Sequence, residues 1–154
     1  MLTVALACVL LALLTIALHA EVLASINASA RRARLVSRSR LLIAMLTTFV
    51  AHLIEIALYG VALFALAKYA HVGGLKGFVS PPLGSCLYFS AETFTSLGFG
   101  DITPDGPLRF MAGLEALNGL LLIGWSACQM HVLLERIGGQ LGSRRSVRWP
   151  SAPL

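Results

Sequence analysis

Apolar residues run along this chain in blocks. One block reaches from Leu2 to about Leu18 without a charge, a second from Leu41 to about Ala67, and a third from Leu108 to about Leu134. At ~1.5 Å per helical residue each is long enough to cross a bilayer's hydrocarbon core of ~30 Å, so each predicts a spanning helix. A fourth block, Leu83–Thr95, covers about half that distance. Its helical spacing and its start at Pro81-Pro82-Leu83-Gly84-Ser85 predict a helix of ~17 Å, enough to dip halfway into a membrane.

Composition agrees with this pattern. Of the 154 residues 57% are hydrophobic and only 12% charged, with a mean hydropathy of +0.81. A water-soluble domain carries about 25% charged residues, so most of this surface must face an apolar medium. The net charge of +5 and pI of 9.6 could suit nucleic acid, but the arginines flank the apolar blocks and are not interleaved with aromatic and polar residues. No nucleic-acid partner is expected. Cys8, Cys86 and Cys128 lie in or beside apolar blocks, at no metal-ligand spacing, and read as small buried hydrophobes.

The first block lacks the basic leader of a signal peptide. Although Ala28-Ser29-Ala30 offers a small-residue cut site, an uncleaved helix is expected. Orientation follows from the basic residues. Arg31, Arg32, Arg34, Arg38 and Arg40 lie in the first connection, and Arg136, Arg144, Arg145 and Arg148 follow the third block. Only Lys68, Lys76 and Arg109 lie on the other side. The positive-inside rule then places the N-terminus outside the cell membrane, the C-terminus in the cytoplasm, and the stretch from about His71 to Pro107 outward. Arg144, Arg145, Arg148 and Trp149 suit the headgroup region, where basic residues meet anionic lipid.

Between the half-length helix and the third block stands ETFTSLGFGDITP, Glu92–Pro104. Irregular backbone at membrane depth must be buried in protein or solvated by water or ions, because unpaired peptide groups in lipid cost several kcal/mol each. Gly98 and Gly100 permit backbone angles other residues resist. The C-terminal end of the preceding helix carries about half a negative charge, which favours a cation.

The order of outer helix, half-helix, TSLGFGD and inner helix resembles the pore module of the potassium channel family, over roughly Leu41 to Arg136. The resemblance implies an all-α integral membrane protein with three transmembrane helices, a re-entrant pore helix and an extended selectivity filter, assembled as a homotetramer around one pore. It divides the chain into an N-terminal helix (1–30), a cytoplasmic Arg-rich linker (31–40), a pore domain (41–136) and a short basic tail (137–154). Within the pore domain it sets an outer helix at about 41–70, a pore helix at about 84–95, a filter at 96–101 and an inner helix at about 107–136. It implies K⁺ as the permeant ion, with no cofactor. The filter falls on Ser96, Leu97, Gly98, Phe99 and Gly100, whose backbone carbonyls replace the ion's water shell in that family. Ser96 stands where Thr is usual and Phe99 where Tyr is usual. Channels of the ether-à-go-go-related group carry the same two residues and select potassium, so the departures imply a less rigid filter.

The resemblance also pairs Glu92 with Asp101 as a carboxyl–carboxylate pair behind the filter, with Tyr88 as a third member. It places Gly119 near the inner-helix hinge, and Leu120, Ile123, Ala127 and His131 towards the cavity and inner gate. His131 is a candidate pH sensor or an interfacial residue. Ionisable residues inside spans are functional candidates by default. Glu55 has His52 one turn before it, and Glu115 and Asn118 share a face at i, i+3, so these predict a buried polar network between helices or subunits. His19 and Glu21 read as interfacial.

The first helix lacks the periodic arginines of a voltage sensor and is expected to pack outside the core. With so short a tail, regulation is expected from pH, lipid, the filter or a separate protein. Rival readings are a weakly selective cation channel, a non-conducting pore-fold subunit, and a proton-coupled carrier using Glu55 and Glu115. The carrier reading lacks the usual internal repeat. No nucleophile–base pair or metal cluster is legible, so an enzyme is not expected.

Overall fold

The computed structural model describes residues 1–32, 37–70, 72–77 and 82–145. The readings placed on Arg34, His71, Pro81, Arg148 and Trp149, and on the side chains of Arg31, Arg32, Arg38, Arg144 and Arg145, lie outside the described residues.

Four helices carry the chain: α1 (Leu2–Arg32), α2 (Ser37–Tyr69), α3 (Pro82–Phe94) and α4 (Leu108–Arg145). Three of them hold apolar stretches long enough to cross a membrane, Leu2–Ser29, Ser39–Tyr69 and Leu108–Arg136. The fourth, α3, is the half-length helix, and it begins on Pro82, whose missing N–H costs nothing at a first helical position. One buried cluster joins Val4, Cys8 and Leu11 of α1 to Tyr59 and Leu63 of α2, Phe89 and Phe94 of α3, and Leu108 and Met111 of α4. A second joins Leu23 and Ile26 to Ala44 and Leu133. The start of α1 thus lies beside the start of α4 and the end of α2, so α1 and α4 run parallel and α2 antiparallel to both.

The first helix departs from expectation in two ways. Its length, to Arg32, is close to the 1–30 expected, but His19, expected at an interface, is fully buried. Hydropathy falls at a polar residue whether or not a partner awaits it, and here partners on α2 and α4 remove the need for water. Nor does α1 pack outside the core, since Val4, Cys8, Leu11, Thr15 and His19 are all buried against the other helices. Glu21 is exposed, as is Cys128, while Cys8 and Cys86 are buried thiols.

A short two-stranded ladder joins the chain before α3 to the chain before α4. Strand β1 (Leu75–Lys76) pairs antiparallel with β2 (Thr103–Pro104), Leu75 opposite Pro104 and Lys76 opposite Thr103. Lys76 Nζ lies 3.0 Å from Asp105 Oδ2 on the surface. That ammonium, helped by the Gly106 N–H, holds the Asp105 carboxyl below the usual carboxylate range. What this exposed contact contributes is present above the ordinary Asp range and is lost as pH falls through the lowered value.

In lipid, burying apolar side chains brings little hydrophobic gain, so close packing and interhelical hydrogen bonds carry helix association. Close packing is visible where α3 is gripped. A Cβ on Gly60 of α2 would lie 2.9 Å from the Leu87 Cα, and one on Gly119 of α4 would stand on the Phe94 carbonyl oxygen. The half-length helix is held between two glycines, backbone against backbone.

Candidate functional site

The end of α3 sets the geometry of everything after it. Ser96 N–H donates to Thr93 O (3.0 Å) and Leu97 N–H to Glu92 O (2.8 Å). This pair of bonds, with Ser96 at φ 57, is a Schellman cap. Ser rather than Gly in that left-handed position costs about 1–2 kcal/mol, offset by the carbonyls the cap satisfies. Handedness then alternates, because Gly98 (φ 57) and Gly100 (φ 80) also have positive φ while Leu97 and Phe99 do not.

Alternation of this kind turns successive N–H groups to one side. Here that side is Glu92. Its backbone carbonyl accepts from Leu97 and, at 3.3 Å, from Gly98, and its carboxylate accepts from Phe99 N–H at 3.3 Å. No peptide bond among the described residues is cis, and in a planar trans peptide the carbonyl points opposite to the N–H of the following residue. The carbonyls of Ser96, Leu97 and Gly98 therefore leave on the side away from Glu92. Residues 95–101 are exposed throughout. The result is a row of acceptors aimed the same way from an open segment, which is chemistry suited to a desolvated cation.

Glu92 is thus the organiser of the segment, and the acids expected as a pair take separate hydrogen-bond partners. Asp101 Oδ2 accepts from the Tyr88 hydroxyl at 3.1 Å, near the surface.

Inside the spans the polar residues form two groups. Ser90 of α3 lies within hydrogen-bond distance of both Ile56 O (2.7 Å) and Glu115 Oε1. One hydroxyl proton cannot serve two acceptors, so the arrangement is satisfied when Ser90 donates to the carbonyl and accepts from a protonated Glu115. One turn further on α4, Asn118 Nδ2 donates to Thr15 Oγ1 (2.8 Å) and to the Tyr59 hydroxyl (3.2 Å). Replacement of Glu115 by Gln keeps a donor to Ser90 and is expected to change thermal stability little. Ser90→Ala leaves the acid buried without its partner and is expected to cost about 1–3 kcal/mol, read as a lower midpoint of thermal unfolding.

The second group gathers His19 of α1, His52 and Glu55 of α2, and Ser126 of α4. Both Nδ1 atoms lie 2.8 Å from Glu55, on separate oxygens, and both Nε2 atoms face Ser126 Oγ at 3.0 and 3.2 Å. The one network expected from Glu55 and Glu115 is therefore two. The ligating atoms of His19, His52 and Glu55 also lie within 4.8 Å of one another, so a metal-type cluster that was not legible in the sequence is present. On α4, Gly119 is buried against Phe94, while Leu120, Ile123, Ala127 and His131 share exposed surface. His131 lies 3.4 Å from Glu135, itself exposed.

Missed in the sequence were Gly60, Thr15, Tyr59, Ser90 and Ser126, and His19 was misplaced. Small or hydroxyl-bearing residues inside a span are enriched where helices touch, and that is the one signal that marks most of them.

A re-entrant helix followed by cation-directed backbone between two spanning helices defines an ion-conducting membrane protein. The family described as "Ion channel" matches residues 51–136, more than half of the chain, and the chain belongs to that family, whose two-helix pore domain is the potassium-channel type. No curated relative and no solved structure matches it. The protein is a multi-pass membrane protein of the ion channel class.

Proposed function

We propose that this protein is a potassium-selective channel, a homotetramer of the cell (inner) membrane whose filter is Ser96–Gly100. The observation that carries the reading is the common direction of the Ser96, Leu97 and Gly98 carbonyls, away from Glu92. One chain offers one side of a coordination shell, and four copies around an axis close each ring of oxygens. The large side chains flanking this row support assembly, since Leu97 is 59% and Phe99 67% exposed in the single subunit. Positive-inside topology supports a filter that opens outward and an inner-helix end in the cytoplasm. Potassium passes as the permeant ion, with no cofactor.

The test is the reversal potential of purified protein in a planar bilayer, with KCl on one side and NaCl on the other. A potential strongly biased towards potassium is expected, and a value near zero with clear current points instead to a weakly selective cation pore. Gly98→Ala is expected to abolish the current. At φ 57 a side chain costs about 1–2 kcal/mol per subunit, and the cost is repeated in every copy of the ring. Normal current in that variant overturns the filter assignment.

A further inference from the structure

The four side chains His19, Glu55, His52 and Ser126 close a ring. Glu55 bridges the two Nδ1 atoms and Ser126 bridges the two Nε2 atoms. Each of these four contacts needs one proton. In their ordinary neutral-pH forms the carboxylate supplies none, each imidazole supplies one and the serine hydroxyl supplies one. Three protons face four contacts. Left so, two lone pairs confront one another and a carboxylate lies buried in the membrane interior without a compensating charge. One added proton removes both defects, giving four donated hydrogen bonds and a net charge of zero.

A metal ion is the competing occupant, because the same atoms could ligate one. The distances decide against it. Nitrogen and oxygen stand 2.8 Å apart on both sides of Glu55, the spacing of a direct hydrogen bond. A divalent ion would also leave the buried cluster with a net positive charge.

We propose that this ring is a one-proton binding site that fastens the first helix to the pore helix. The attachment runs through His52, whose ring packs on Phe94, 5.8 Å between centroids and tilted 60°. Phe94 is the last residue of α3, immediately before the filter cap, and its carbonyl rests against Gly119. His19 stacks on His52 at 5.1 Å and meets Trp125 of α4 at 5.7 Å. The titratable groups facing one another here are His19 from α1 and His52 and Glu55 from α2. The ring's neighbours on α4 are Ser126 and Trp125, and its neighbour on α3 is Phe94, none of which titrates near neutral pH. Glu115, the buried acid of α4, faces Ser90 instead. Loss of the proton opens the ring beside Phe94 and is expected to lower conduction. That last step rests on the channel reading, whereas the proton count does not.

The count has a direct chemical test in one substitution. In Glu55→Gln the amide supplies the fourth proton itself and no buried carboxylate remains, so the variant is expected to hold no added proton. Nitrogen-15 NMR of histidine-labelled protein in lipid nanodiscs reads this out, with the His19 and His52 signals assigned by single replacement. At pH 7 the wild-type pair is expected to carry protons on three of its four ring nitrogens, and the variant on two. Raising the pH removes one proton from the wild-type pair in a single step that the variant does not show. Two neutral imidazoles in the wild type, a pattern unchanged in the variant, or a stoichiometric metal ion in the purified protein overturns the proposal. In bilayers, wild-type current should fall on alkalinisation and Glu55→Gln current should not. A persistent proton with pH-independent current overturns the link to Phe94, while a persistent proton without any ion flux overturns the channel reading and leaves the ring intact.

Discussion

Gly119→Ala is expected to lower the unfolding midpoint of the assembled protein and to remove most of its ion flux. Ordinarily a helical Gly→Ala substitution stabilises, by up to ~1 kcal/mol. Here the added methyl would stand on the carbonyl oxygen of Phe94, within contact of that residue's carbonyl carbon and ring as well. Two backbones would have to part, and overpacking of this kind costs about 1–3 kcal/mol. The displaced residue also immediately precedes the Schellman cap that starts the proposed filter. Gly124 is the control: a methyl added there would meet nothing within 4 Å, and alanine is expected to be neutral or stabilising. Thermal unfolding in detergent with flux measured in vesicles checks both. The experiment separates packing from the hinge role that the resemblance assigned to Gly119, because a hinge replaced by Ala loses motion while keeping or gaining stability.

Glu92→Ala is expected to erode the proposed potassium selectivity more than any other single change behind the proposed filter. Its side chain takes the Phe99 N–H, and its removal orphans that donor in a segment already held at strained angles. A hydrogen bond of this part-exposed kind contributes about 0.5–1.5 kcal/mol. Since ~1.4 kcal/mol is a factor of ten, a shift of that size in the filter's balance between ions is visible as a reversal potential moved towards zero. Glu92→Gln retains an acceptor and is expected to stay close to wild type. Tyr88→Phe breaks only an exposed contact to Asp101 and should do less still. An unchanged reversal potential in Glu92→Ala would mean that the filter holds its shape without this carboxylate.

Much of this architecture was legible because its signals are local. Three apolar blocks and one half-length block are counted from neighbours in sequence, and the Gly98 and Gly100 positions declare unusual backbone by composition. Glu92 stood in the sequence as one of an acid pair with Asp101, whereas its hold on the Phe99 N–H was not legible, because that contact depends on where the cap turns the chain. The His–Glu–His–Ser ring was only half legible. His52 and Glu55 are one turn apart, whereas His19 and Ser126 meet across 107 positions of chain. Hydropathy read His19 as the end of a span because a polar side chain looks the same whether water or a partner satisfies it. Gly60 was invisible for the opposite reason. A glycine in an oily helix says nothing until a second backbone is known to lie against it.

The contact between Thr15 and Asn118 also bears on how the protein is made. The two are separated by 103 positions, so at ~5–20 residues per second α1 waits about 5–20 s in the bilayer before its partner leaves the ribosome. During that interval Thr15 can turn its hydroxyl back onto Leu11 O, at 2.8 Å in its own helix, but His19 has no comparable refuge. The first helix is therefore inserted carrying an unmet polar demand that only α2 and then α4 can meet. Biogenesis is ordered by that debt, and a subunit stalled before its last helix is marked, chemically, as unfinished.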